Sequence, residues 1–111
     1  MIDIKLPVLE KDHDWNEHLK KLREESYELR TAIEILDYSS KCKDKTVLKD
    51  EQAAAECVLS EALDVIQVAI GIIEKILEKY PKALKSAVMM HVEKLKGRGW
   101  KFRKMLKIEE E

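Results

Sequence analysis

Apolar residues recur along this chain at helical spacing in three stretches. In the first, Trp15, Leu19, Leu22, Leu29, Ile33 and Leu36 follow one another in steps of three, four and seven, which predicts a helix presenting one apolar stripe. Asp14 and Glu17 stand three apart just ahead of it, the spacing of a capping box, so the helix is predicted to begin near Asp14 and to end near Asp37 to Ser40. The second stretch carries Ala54, Val58, Ala62, Val65, Val68, Ala69, Ile72, Ile73, Ile76 and Leu77. It predicts a helix that begins between Thr46 and Glu51, runs to about Lys79 and reaches roughly 42 Å. Leu84, Val88, Val92 and Leu95 make the inner face of a third helix, with Pro81 in its first turn and Gly97 and Gly99 at its end.

The remaining segments connect or flank these helices. Residues 1–11, Met1 to Lys11 with Pro7 among them, read as an extended arm, and Ser39–Lys45 as a polar loop. Trp100–Leu106 reads as a final turn or a separate tail, residues 101–111 are taken as the C-terminal tail, and Trp100 is expected to anchor it against the helices. At 111 residues the chain is expected to form a single all-α domain. The expected architecture is a helical hairpin plus a third helix, a four-helix-bundle-like core completed by a second copy. So small a monomer has a modest core, which favours a homodimer or homotetramer.

Composition supports helix over sheet: 39% of residues are charged, and there are only three Gly and two Pro. The net charge of -1 conceals a segregation. Six acids and no Lys or Arg lie between Asp50 and Glu74, whereas nine basic residues and the single acid Glu93 lie between Lys82 and Lys107. That arrangement fits either mutual pairing or a metal site beside an anion site. The overall balance argues against a nucleic-acid binder, although the basic segment alone would suit one. Cys42 and Cys57 are too few for a disulfide scaffold or a zinc site, and Cys57 is expected to be a small buried residue. No apolar run approaches membrane length and no cleavable leader is visible, so a soluble, cytoplasmic protein is expected.

The anomaly in the pattern is acidic. Glu61 and Asp64 stand three apart on an otherwise apolar face, among Val58, Val65 and Val68. Neither has a Lys or Arg three or four residues away. Two such charges repel by about 3 kcal/mol at 5–6 Å in an effective dielectric near 20, so something cationic must offset them. Glu25 and Glu28 repeat the spacing on the first helix. If the two helices pack antiparallel, four carboxylates converge, and oxygen ligands alone select Mg²⁺ or Mn²⁺ over zinc. A salt bridge to the basic third helix is the competing structural explanation. A ferritin-like di-iron site is disfavoured: it requires Glu-x-x-His, and His13, His18 and His91 do not complete that pattern.

At these residues the chain resembles the MazG-like all-α nucleoside triphosphate pyrophosphohydrolases. The resemblance lies in Glu24-Glu25-Ser26-Tyr27-Glu28, then Glu61-Ala62-Leu63-Asp64, and a final Lys94-Leu95-Lys96-Gly97-Arg98, and it covers about residues 15 to 100. Two departures are visible: 32 residues separate Glu28 from Glu61, longer than in compact members, and Gly97 and Gly99 flank Arg98. The resemblance implies a Mg²⁺-dependent hydrolase that converts an NTP or dNTP to the monophosphate and pyrophosphate. It implies metal ligation by Glu25, Glu28, Glu61 and Asp64, with Glu24 or Glu28 orienting or deprotonating the attacking water. Lys94 and Arg98, with Lys101 as a weaker third, would contact the β and γ phosphates. Trp15 and His18 would line the base pocket, unless Trp15 is simply core. The alternative functions are a non-catalytic dimeric helical scaffold and, less favoured, a nucleic-acid-binding module using Lys82–Lys107.

Overall fold

The computed structural model describes residues 4–10, 14–41 and 48–111, and beyond the helix path nothing is stated of the side chains of residues 48–50. Its elements are α1 (Trp15–Lys41), α2 (Leu48–Lys79) and α3 (Ala83–Gly97), and no strand occurs among the described residues. The all-α class expected from the periodicity holds. The chain divides into two compact units, Met1–Ile76 and Leu77–Glu111.

In the first unit α1 starts where the capping pattern places it. Asp14 Oδ1 accepts from the Glu17 backbone N–H at 2.8 Å, satisfying one of the donors that a helix N-terminus leaves without an intrahelical partner. The helix runs past its expected end. Ser39 and Ser40 are helical, and the last turn is tied back to Asp37 by the Ser40 hydroxyl and, at 2.8 Å, by Lys41 Nζ. A lysine there also suits the negative end of the helix dipole. Residues 39–41 of the predicted loop are therefore helical, and the rest of that segment, with Cys42, lies outside the described residues.

α1 and α2 pack antiparallel, and the pairing is legible in residue numbers. Trp15 lies beneath Lys75, whose Nζ is 5.4 Å from the ring centroid; His18 lies against Gly71; Glu25 and Glu28 approach Glu61. As one number rises the other falls. Burial along the seam is shallow. Ala32 is the one buried apolar residue among those described, and most of the expected α2 face (Val58, Ala62, Val65, Val68, Ile72) is half-buried. Leu19, Leu22 and Ile33 of the α1 stripe are exposed, because a single partner helix covers only one strip of a helix surface.

The arm has no regular secondary structure over 4–9, bends at Glu10 and lies on this unit: the Gln67 side-chain amide donates to the Pro7 carbonyl, and Leu6 is half-buried. Cys57 departs from expectation. It is an exposed free thiol, since it sits one residue, or about 100°, away from the Val58 stripe.

In the second unit Pro81 precedes the helix instead of entering its first turn. The Ala83 N–H bonds to the Tyr80 carbonyl at 3.0 Å, closing a turn whose second position suits proline's fixed φ, and α3 follows. At its other end the Gly99 N–H bonds to Lys96 O and the Trp100 N–H to Leu95 O, with Gly99 at φ +81°. This is a Schellman stop, and glycine supplies the left-handed residue it needs. Beyond it the chain is not helical, so Trp100–Leu106 is a tail and no final turn. Trp100 is 66% exposed, too open to anchor the tail by burial. No residue of α3 is buried; Leu84 and Val88 of its expected inner face are exposed, whereas Val92 and Leu95 are half-buried.

Candidate metal centre

The site forms where the middle turns of α1 and α2 cross. Residues three apart on a helix share a face, so Glu25 and Glu28 project together from α1, and Glu61 and Asp64 from α2. The antiparallel seam brings the pairs opposite each other. One carboxylate oxygen each from Glu25, Glu28 and Glu61 lies within 4.8 Å of the others, a spacing that lets three acids share one cation.

The electrostatics express the strain of this grouping. The Glu25 carboxyl is held above the ordinary glutamate value, first by burial, then by the Glu28 charge and its hydrogen-bonding reach and by Asp64, with Lys21 opposing. Glu61 is raised for the same leading reason, followed by Glu28 and Asp64, both also in hydrogen-bonding reach. Two acceptors can share a hydrogen bond only through a proton, or be reconciled by a cation. Glu25 Oε2 and Glu61 Oε2 are both buried from solvent without a hydrogen-bond partner. Such orphaned oxygens are costly, and hard oxygen donors of this kind fit a divalent cation such as Mg²⁺.

The other expected site residues are distributed around and away from this cluster. Asp64 stands outside the tight trio and is exposed, yet it bears on both Glu25 and Glu61. Glu24 is not in the trio; Lys21 Nζ lies 3.6 Å from it and 3.8 Å from Glu25, a partial neutralisation visible in sequence as the four-residue step from Lys21 to Glu25. Trp15 is an exposed residue, tilted against His18 with ring centroids 5.7 Å apart, so it is not core. Lys94, Arg98 and Lys101 are exposed residues of the second unit, Arg98 forming the C-cap of α3.

Beside the carboxylates lies a cavity of about 200 Å³. Glu25 and Asp64 line it together with His18, Gly71, Gln67 and Leu9. Sequence reading did not single out the last three. His18 is only 7% exposed, and a Cβ on Gly71 would meet its Cε1 at 3.4 Å. The available signal was a lone glycine inside a strongly helical run, which marks close approach of another group. Gln67 and Leu9 carried no comparable signal, because their proximity depends on how the arm returns to α2.

Comparison with protein-family models, curated proteins and solved structures produced no match for this chain. No helix among the described residues is long and apolar enough to cross a membrane.

Proposed function

We propose that this chain is a nucleotide pyrophosphohydrolase that depends on Mg²⁺, for which Mn²⁺ substitutes, and acts on an NTP or dNTP. One observation carries the reading: three glutamates from two helices converge within 4.8 Å, and two of their oxygens are buried with no hydrogen-bond donor. A structural cluster would be expected to satisfy those oxygens with protein donors. The motif order Glu-Glu-x-x-Glu then Glu-x-x-Asp adds the reaction class.

In this reading Glu25, Glu28 and Glu61 hold the metal, with Asp64 completing or orienting the set. When bound, Mg²⁺ neutralises phosphate charge and polarises the phosphoryl oxygens. Glu28 or Glu24 accepts a proton from the attacking water, whose oxygen bonds to the α-phosphorus. The bridging bond between the α and β phosphates breaks, and pyrophosphate leaves with the electron pair. A second copy of the chain completes the helical bundle by covering the apolar residues that α1 and α2 leave exposed.

A panel of NTPs and dNTPs, assayed with Mg²⁺ for pyrophosphate and monophosphate, tests the proposal. Release is expected with at least one nucleotide, to depend on the metal, and to vanish in Glu61→Gln/Asp64→Asn. A folded parent that releases nothing from any member, with a double variant at least as stable in Mg²⁺, would instead support a helical scaffold.

A further inference from the structure

We propose that Gln67 and the segment Ile4–Glu10 form a strap that walls the cavity beside the carboxylates and seats the nucleoside end of the substrate under Leu9; this rests on the hydrolase reading above. The strap is tied to α2 across 60 residues of sequence by the Gln67 amide and the Pro7 carbonyl. Pro7 suits the role, since its fixed φ restricts the arm's backbone and its carbonyl stays available as an acceptor. A carbonyl can only accept, so the bond also sets which end of the Gln67 carboxamide is which: Nε2 faces the arm, and Oε1 is left as an acceptor. Leu6 is half-buried, whereas Leu9 stays 58% exposed although it lines the cavity. An aliphatic side chain left largely exposed on the wall of a cavity beside carboxylates serves a ligand better than it serves the fold.

Size and chemistry decide which part of the substrate enters. At about 200 Å³ the cavity is smaller than the roughly 300–1,000 Å³ typical of sites that enclose a drug-sized ligand. It therefore takes the base and part of the sugar, leaving the phosphates over the acids. Glu25 and Asp64 reach into it from the acidic end. His18 and Leu9 supply flat and aliphatic surface, and Gln67 supplies hydrogen bonding, a lining that fits a heterocycle. Gln67 thus holds the arm through Nε2 and offers the heterocycle an acceptor at Oε1.

The test combines hydrogen exchange of the 4–10 amides with steady-state kinetics on the full chain. Mg²⁺ with a non-hydrolysable α,β-imido triphosphate, of a base the parent hydrolyses, is expected to slow exchange in the arm. Gln67→Met, similar in length but without the donor, is expected to abolish that protection. It should raise KM about tenfold, the scale of one lost hydrogen bond, at a kcat within about twofold of the parent. Mg²⁺ alone is expected to raise Tm in the parent and equally in the variant, because the metal acids are untouched. Leu9→Ser on the exposed arm should show the same KM rise, and it serves if Gln67→Met does not fold. Arm exchange that ignores nucleotide in a protein that hydrolyses it, a parental KM in both variants, or a loss confined to kcat would overturn the strap and leave the hydrolase standing. A parent that neither binds nor hydrolyses any nucleotide would remove both.

Discussion

The acids at the α1–α2 crossing carry opposite consequences for stability and for ligation. Glu61 and Asp64 differ in position: Glu61 shares the trio with a buried oxygen, whereas Asp64 stands at its exposed edge. Asp64→Asn is therefore expected to cost about 10–100-fold in activity, as loss of a supporting carboxylate does, and Glu61→Gln to cost more. Pyrophosphate release by the two variants under saturating Mg²⁺ checks the order. The pH dependence follows from the raised values of Glu25 and Glu61, caused chiefly by burial and next by Glu28. Between the ordinary glutamate value and the raised ones, the folded chain holds more protons than the unfolded one. Without metal, stability should therefore fall as pH rises through that window and level off above it. Apparent Mg²⁺ affinity should do the reverse, weakening as pH falls through the same window, because ligation requires the carboxylates ionised. Metal-free thermal melts and Mg²⁺ titrations across that window read both slopes.

At the scale of the helices, glycines separate two kinds of constraint. Gly71 faces the His18 ring, but a Cβ would meet it at 3.4 Å, which is ordinary contact. Gly71→Ala should fit, and it should stabilise α2 by about 0.5–1 kcal/mol through the backbone entropy saved in a helix. Gly71→Leu cannot fit without expelling His18 from its buried seat, and it should lower the unfolding midpoint. Gly99 is the other kind. Its surroundings are open, but its φ of +81° penalises any side chain, so Gly99→Ala should destabilise the α3 stop by about 1–2 kcal/mol. Denaturant unfolding of the three variants distinguishes space from conformation. These helices were legible in sequence because their apolar steps, the Asp14 cap and the paired glycines at the end of α3 are local signals. Convergence of Glu25, Glu28 and Glu61 was legible from spacing once an antiparallel pair was assumed. The buried His18 seat and the Gln67–Pro7 tie were not, because each depends on a contact between segments some fifty to sixty residues apart. The burial of Cys57 and the anchoring by Trp100 were misread for a related reason: apolar character says a residue prefers cover, and only packing decides whether cover exists.

For the whole molecule, the question is what covers the surface that the α1–α2 pair leaves open. Leu19, Leu22 and Ile33 on α1 and Leu59, Ile66 and Ile73 on α2 are all exposed, while Ala32 is the one buried apolar residue among those described. Two helices in contact along one seam cannot bury stripes as wide as these, and lone helical pairs are not stable in water. Each large aliphatic side chain fully buried contributes about 1.5–3 kcal/mol, so covering several per protomer is enough to decide the oligomeric state. The proposed second copy would bring the same stripes and close a bundle of four helices. The expected outcome in light scattering at micromolar concentration is a mass of at least twice 13.0 kDa. The unfolding midpoint should rise with protein concentration, since association stabilises the folded state by mass action. Leu22→Glu and Ile66→Glu each place a charge on the exposed stripe; both should lower the mass and the midpoint together, while Lys20→Glu, on the polar side of α1, should leave them unchanged. A 13.0 kDa particle whose midpoint does not move with concentration would mean that the exposed stripes are covered by something other than a second copy.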